Sequence, residues 1–286
     1  MVKSLDKMVK LAQVNHLPLW EMILEDDIAE RQVTREDSLE KMQGMYQVMK
    51  EANRDYNGDL RSASGLVGND GEKLQQARGR GEMLCGDFMG RVMEIAVKMG
   101  ESNACMRRVV AAPTAGASGV LPAVFLPMQD RFGLSDEKML EALYVAGGVG
   151  EVIANRAFIS GALGGCQSEI GSASAMAAAG AVALRDGDPE EIIHAAAMAL
   201  KNLIGLVCDP VGGLVEVPCV KRNVIGAVNA LAAADMALAG IRSQIPPDEV
   251  IDVIRDVGER MPAALRETGE GGLAATPTGQ EIQRRI

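Results

Sequence analysis

Cys208-Asp209-Pro210-Val211-Gly212-Gly213-Leu214-Val215-Glu216-Val217-Pro218-Cys219 carries a cysteine at each end and turn-forming residues between them. Pro210 fixes one backbone angle, and Gly212 and Gly213 permit conformations that other residues resist, so the segment reads as an irregular loop. Both of its flanks read as helix. Upstream, Asp188-Pro189-Glu190-Glu191 places Asp at the N-cap, Pro at the first helical position and acid in the first turn. The helix it opens runs through His194, Lys201 and Asn202 to about Val207. Downstream, Lys221 opens a second long helix to about Ile241. Helix, cysteine loop, helix is thus the local pattern, and the rest of the chain repeats its helical part.

Pro18 opens an amphipathic helix to about Gln32, with Leu17, Trp20, Ile23, Leu24 and Ile28 near helical spacing. Thr34 and Asp37 form a relative of the capping box for the next helix, whose stripe is Leu39, Met42, Met45, Tyr46 and Met49. Asn57-Gly58-Asp59 closes this hairpin. The division expected is an N-terminal helical hairpin lobe, residues 1–57, and a larger helical domain, residues 58–286, that carries the cysteine loop, the two forming one compact unit. In that second part, helices are expected over about 82–102, 120–129, 135–158 and 172–184, with Gly147-Gly148-Val149-Gly150 as a break or kink. Pro247-Asp248-Glu249 starts the last one, to about Arg260. Strand signals are almost absent and there is no β–α alternation, which argues against a Rossmann-like or pyridoxal-phosphate fold. The fold class expected is mainly α: a multi-helix domain with Gly-rich loops carrying chemistry and few or no strands.

Composition agrees. Of 286 residues, 48% are hydrophobic but only 3% aromatic, which favours close helix packing through small residues. The net charge of −10 argues against nucleic acid as a general partner. The most apolar stretch, Val224 to Ile241, includes Asn229 and Asp235, and reads as a buried helix rather than a membrane span. An odd number of cysteines, five, and an N-terminus without an apolar run point to reduced thiols and a cytoplasmic location.

Two further motifs join the cysteine loop. Cys166 lies in Gly164-Gly165-Cys166-Gln167-Ser168-Glu169-Ile170-Gly171. Three thiolates on Gly-rich loops could hold an iron–sulfur cluster and leave one iron without a protein ligand, although free cysteines also serve as small buried apolar residues. Cys85 and Cys105 sit among apolar neighbours outside such loops, and read as buried thiols. Pro113-Thr114-Ala115-Gly116-Ala117-Ser118-Gly119 feeds a helix N-terminus, a setting that suits a carboxylate and equally a tight interhelical turn. Ser62-Ala63-Ser64-Gly65-Leu66 is a second loop of this kind.

These motifs, with Lys201-Asn202 and Pro218-Cys219, resemble the iron–sulfur L-serine dehydratases, and the whole chain looks like the α chain of the two-subunit form. The resemblance implies a [4Fe–4S] cluster on Cys166, Cys208 and Cys219, and no pyridoxal phosphate. It implies conversion of L-serine to pyruvate and ammonia, and a hetero-oligomer with a separate β chain. On that reading Thr114, Ala115, Gly116, Ala117, Ser118 and Gly119 bind substrate, with Ser62, Ser64, Gly65 and Asn202 as further contacts. Single-chain relatives carry a cysteine shortly after the C-terminal Gly-Leu-Ala segment; after Gly272-Leu273-Ala274 this sequence has none. Only two histidines, His16 and His194, are present, and Lys201 is the formal candidate for a base. The β chain is expected to supply the base instead. A related L-cysteine desulfidase and a non-enzymatic iron–sulfur sensor are the competing functions, the sensor having no use for the Pro113–Gly119 turn.

Overall fold

A computed structural model describes residues 2–286. Among them, thirteen α-helices follow one another. They are α1 Leu5–Asn15, α2 Leu19–Arg31, α3 Arg35–Arg54, α4 Asp70–Gly79, α5 Gly86–Ala104, α6 Val120–Phe132, α7 Asp136–Arg156, α8 Gly161–Gly164, α9 Cys166–Leu184, α10 Pro189–Lys201, α11 Cys219–Leu238, α12 Pro247–Arg260 and α13 Pro277–Arg285. The β pairing among the described residues is one isolated parallel bridge, Cys208 with Arg266. The protein is mainly α, as its sequence pattern requires. No helix among the described residues is long and apolar enough to cross a membrane.

Helix starts follow their capping residues. Thr34 and Asp37 make a complete capping box on α3, as do Asp188 and Glu191 on α10. Ser135 accepts from the Lys138 N–H at the start of α7. Each such cap satisfies N–H groups that have no partner inside the helix.

Helix α9 is the centre of the molecule. From Ile170 to Val182 every residue is buried, and α6, α7, α10 and α11 surround it. A helix that is small and apolar on all sides has no solvent face, so it becomes the axis on which others pack. The buried residues of α1, α2 and α3 belong to the same contiguous core as those of α9 and α10. One polar pair inside this core joins α9 to α11: Ser174 Oγ donates to the Gly226 carbonyl at 2.8 Å, and Asn229 Nδ2 donates to Ser174 Oγ at 2.9 Å.

Several expectations are corrected. The glycine run of residues 147–150 does not break α7. A Cβ at Gly148 would lie 2.7 Å from Ile23 Cδ1, and one at Gly150 2.7 Å from Met176 Sδ. These glycines make room for α2 and α9, and the helix runs through them. Helix α9 begins at Cys166, six residues before the expected start, so this cysteine belongs to a helix N-terminus and not to a loop. Helix α10 ends at Lys201, short of Val207, and α1 and α4 lie outside the helices expected from the sequence. Cys85 is exposed, not buried, because it caps α5 at the surface beside the fully exposed Leu84.

A pocket between α2, α3 and α7 holds Glu151, one carboxylate oxygen of which is buried without a hydrogen-bond partner. Burial, then the nearby Glu30 and Asp26 charges, push its pKa up to about 7. A raised folded-state pKa means that this group's contribution is intact below its ordinary value near 4.5 and is lost as pH rises through 7. Glu151→Gln is therefore expected to raise the melting temperature at pH 8. The gain should shrink toward nothing as the pH is lowered to about 4.5, as measured by thermal melts across that range.

Candidate metal centre

Three local devices bring the Cys166 and Cys208 thiols together and set Cys219 on the neighbouring helix start. Gly165, with φ of 75°, turns the chain from α8 into α9 and sets Cys166 as the first residue of α9. The Gln167 side chain then fastens the turn after α10. Its Nε2 donates to the Ile254 carbonyl at 3.1 Å, and its Oε1 accepts from the Gly205 N–H at 2.9 Å. That turn delivers Cys208, whose N–H donates to the Leu265 carbonyl at 2.8 Å and whose carbonyl accepts from the Glu267 N–H at 2.7 Å. Cys219 is the first residue of α11. All three thiols are buried, Cys166 and Cys208 to within 2% exposure. Two of them sit at helix N-termini, where the helix dipole favours thiolate.

Around them lie charges the sequence motifs did not single out. Glu169, one turn after Cys166, brings a carboxylate oxygen so close that it and the Cys166 and Cys208 sulfurs all lie within 4.8 Å of one another. Arg222, one turn after Cys219, donates to Cys166 Sγ at 3.5 Å and to the Val207 carbonyl at 2.8 Å, and pairs with Asp209 at 2.8 Å. The Cys166 pKa is lowered, first by a hydrogen bond from Cys208 and then, against burial, by the Arg222 cation. The Cys208 thiol, which gives that bond and is buried, is pushed up; Cys219 is pushed up to about 12 by burial and by Cys166. Burial also raises Glu169, which accepts a hydrogen bond from Thr114 Oγ1. Three converging thiols with a guanidinium beside them are a donor set compatible with an iron–sulfur cluster.

The Pro113–Gly119 turn lies against this group. Asn223 on α11 fastens it: its Oδ1 accepts from the Gly119 N–H at 2.9 Å, and its Nδ2 donates to the Gly116 carbonyl at 2.8 Å and the Cys219 carbonyl at 3.1 Å. A Cβ at Gly116 would lie 2.7 Å from Glu169 Oε1, so a side chain there would push that carboxylate aside. The N–H groups of Ala117, Ser118 and Val120 are spent inside the turn. Among the described residues no hydrogen bond uses the N–H of Thr114, Ala115 or Gly116. Ala115 is exposed, whereas Ala117 and Ser118 are buried, the Ser118 hydroxyl without a partner.

Ser62 and Ser64 both donate to Glu216, inside the cysteine loop, which ties the second serine-rich loop to the same region. Gly65 is exposed, with φ of 76°. Lys201 and Asn202 are engaged elsewhere. Lys201 Nζ donates to Ser243 Oγ at 3.3 Å, and Asn202 Nδ2 to Asn229 Oδ1 at 2.8 Å. The sequence motifs do not single out Glu169, Arg222 and Asn223, because the expected starts of α9 and α11 lie past their cysteines. Counting helix turns from Cys166 and Cys219 finds all three.

Fold and site together define a class: a helical protein that gathers buried thiols and a carboxylate beside a small-residue turn. The chain matches the family described as serine dehydratase alpha chain over residues 14–274, and it belongs to that family. It is 45% identical over 286 residues to the probable L-serine dehydratase, alpha chain, of Bacillus subtilis, covering 100% of this chain and 95% of that one. It is 52% identical over 200 residues to the like-named protein of Latilactobacillus sakei, covering 70% of this chain and 96% of that one. With the L-serine dehydratase, alpha chain, of Peptoniphilus asaccharolyticus the identity is 36% over 285 residues, covering 99% and 98%.

Proposed function

We propose that this chain is the α chain of a two-chain L-serine dehydratase, a lyase that converts L-serine to pyruvate and ammonia. The observation that carries the reading is the close pair Cys166 and Cys208, with Cys219 one turn before the Arg222 that bonds Cys166, beside a turn with unused N–H groups. The three thiols would hold a [4Fe–4S] cluster. Such a cluster, with one iron lacking a protein ligand, would supply a Lewis acid for the substrate hydroxyl and carboxylate.

The chain's own residues do the rest. The N–H groups of Thr114, Ala115 and Gly116 bind and orient the serine carboxylate. Glu169 holds Thr114 in place through its hydroxyl. Arg222 offsets the negative charge of the thiolates. Loss of the Cα proton and the β-hydroxyl as water leaves aminoacrylate, which tautomerises to the imine and is hydrolysed to pyruvate and ammonia.

No histidine of this chain serves as the base in this reading. His16 is exposed at the C-terminus of α1, and His194 accepts from the Ser243 N–H, its pKa lowered by burial and by Arg242. Lys201 is bonded to the same Ser243. The β chain therefore supplies the base, and the working enzyme is an α–β hetero-oligomer in the cytoplasm, where the thiols stay reduced.

Both chains, purified anaerobically, test this by pyruvate formation from L-serine. The α chain alone should turn over at less than about a hundredth of the mixed rate, the size of a lost general base. Full turnover by the α chain alone would overturn the assignment of the base to β. An inactive mixture of iron-loaded chains would overturn the activity itself.

A further inference from the structure

We infer that the cluster-free chain has a ready site for one thiophilic divalent cation, such as Zn²⁺, on Cys166, Glu169 and Cys208, and that filling it blocks cluster assembly. The binding half rests on the geometry of these three residues. The blocking half rests on the cluster reading proposed above.

The three donor atoms already lie within 4.8 Å of one another. With Zn–S bonds of about 2.3 Å, two thiolates on a tetrahedral ion stand roughly 3.8 Å apart, so little closing is needed. Cys219 is not part of this close group, although its thiol is near enough to feel the Cys166 charge. The site is therefore two thiolates and a carboxylate, with water as the fourth ligand. That donor set selects zinc-like ions over magnesium or calcium, which prefer all-oxygen shells.

The surroundings fit a bound ion. Thr114 Oγ1 donates to Glu169 and fixes the orientation of the carboxylate. Two thiolates and a carboxylate leave one negative charge once a dication is bound, and the Arg222 guanidinium stands 3.5 Å from Cys166 Sγ to offset it. The ion replaces the two S–H protons, which pass to solvent, and no redox change is involved. A cluster needs Cys219 as well as the other two thiols; the single ion does not. That difference separates the two sites experimentally.

The test uses the full-length α chain, made anaerobically, stripped with a chelator and titrated with Co²⁺. The expected result is one Co²⁺ per chain, with thiolate-to-cobalt charge-transfer absorption that one equivalent of Zn²⁺ abolishes. Cys166→Ser and Cys208→Ser should weaken binding on the order of a hundredfold, and Glu169→Gln about tenfold. Cys219→Ser and Cys85→Ser should bind as wild type, and thermal melts check that each variant is folded. The Zn²⁺-loaded wild-type chain should take up no iron and sulfide until zinc is chelated.

Absence of a thiolate–cobalt band in a folded chain would overturn the inference. So would unchanged binding in Glu169→Gln, or equal weakening in Cys219→Ser and Cys208→Ser. Normal cluster assembly on the zinc-loaded chain would overturn the blocking half. A Cys219→Ser chain that binds cobalt normally and assembles no cluster supports both sites. One that binds cobalt normally and still assembles a full cluster supports the cation site and removes the cluster reading alone.

Discussion

Cys208→Ser protein, assembled anaerobically with iron, sulfide and the β chain, is expected to hold less than about a tenth of the wild-type iron and to form no pyruvate. Cys208 is fully buried, so no solvent ligand can replace its sulfur cheaply. A serine hydroxyl is a harder donor than thiolate and a poor match for the iron of a cluster. Cys166→Ser and Cys219→Ser should behave alike. Cys85→Ser and Cys105→Ser are the controls, because the first thiol is exposed and the second partly so, at the two ends of α5. Iron analysis and circular dichroism on the same samples separate a lost cluster from a lost fold. Full iron in folded Cys208→Ser would remove the cluster from these three thiols.

Ala115→Asp should raise the KM for L-serine on the order of a hundredfold while iron content and melting temperature stay at wild-type values. Ala115 is the exposed member of the turn, and its N–H is among those that no hydrogen bond uses. Two carboxylates about 4 Å apart repel by about 4 kcal/mol at an effective dielectric of 20, and exposure lowers that figure. A hundredfold is about 2.7 kcal/mol. Ala115→Asn has nearly the same shape without the charge, and should change KM by less than about threefold. Ala117→Asp looks similar on paper but is a different experiment. Ala117 is fully buried, so a carboxylate there is expected to cost the fold itself. An unchanged KM in Ala115→Asp would make the turn a structural connection only.

Much of the architecture was legible because caps are local. Thr34 with Asp37, Ser135, and Asp188 with Pro189 and Glu191 each mark a helix start within four residues, and each cap forms. The starts of α9 and α11 carry no such mark. Cys166 and Cys219 follow Gly165 and Pro218, neither of which gives a side-chain cap, so the sequence pattern places both starts too late. That hid Glu169, Arg222 and Asn223, whose importance depends on being one turn from a cysteine. Gly148 and Gly150 mislead for a related reason. Local propensity reads them as a break, whereas their use is the close approach of Ile23 and Met176, which only tertiary packing reveals. The bonds of Lys201 to Ser243 and of Asn202 to Asn229 likewise join segments far apart in sequence.

The central claim is that three thiols of this chain hold a cluster with one iron free to take L-serine. Mössbauer spectra of the ⁵⁷Fe-loaded α–β complex, recorded without and with L-serine, test it most directly. About four irons per α chain should be present, and about one quarter of the signal should shift when serine is added. A spectrum with the full iron complement that is unchanged by saturating L-serine would contradict the account.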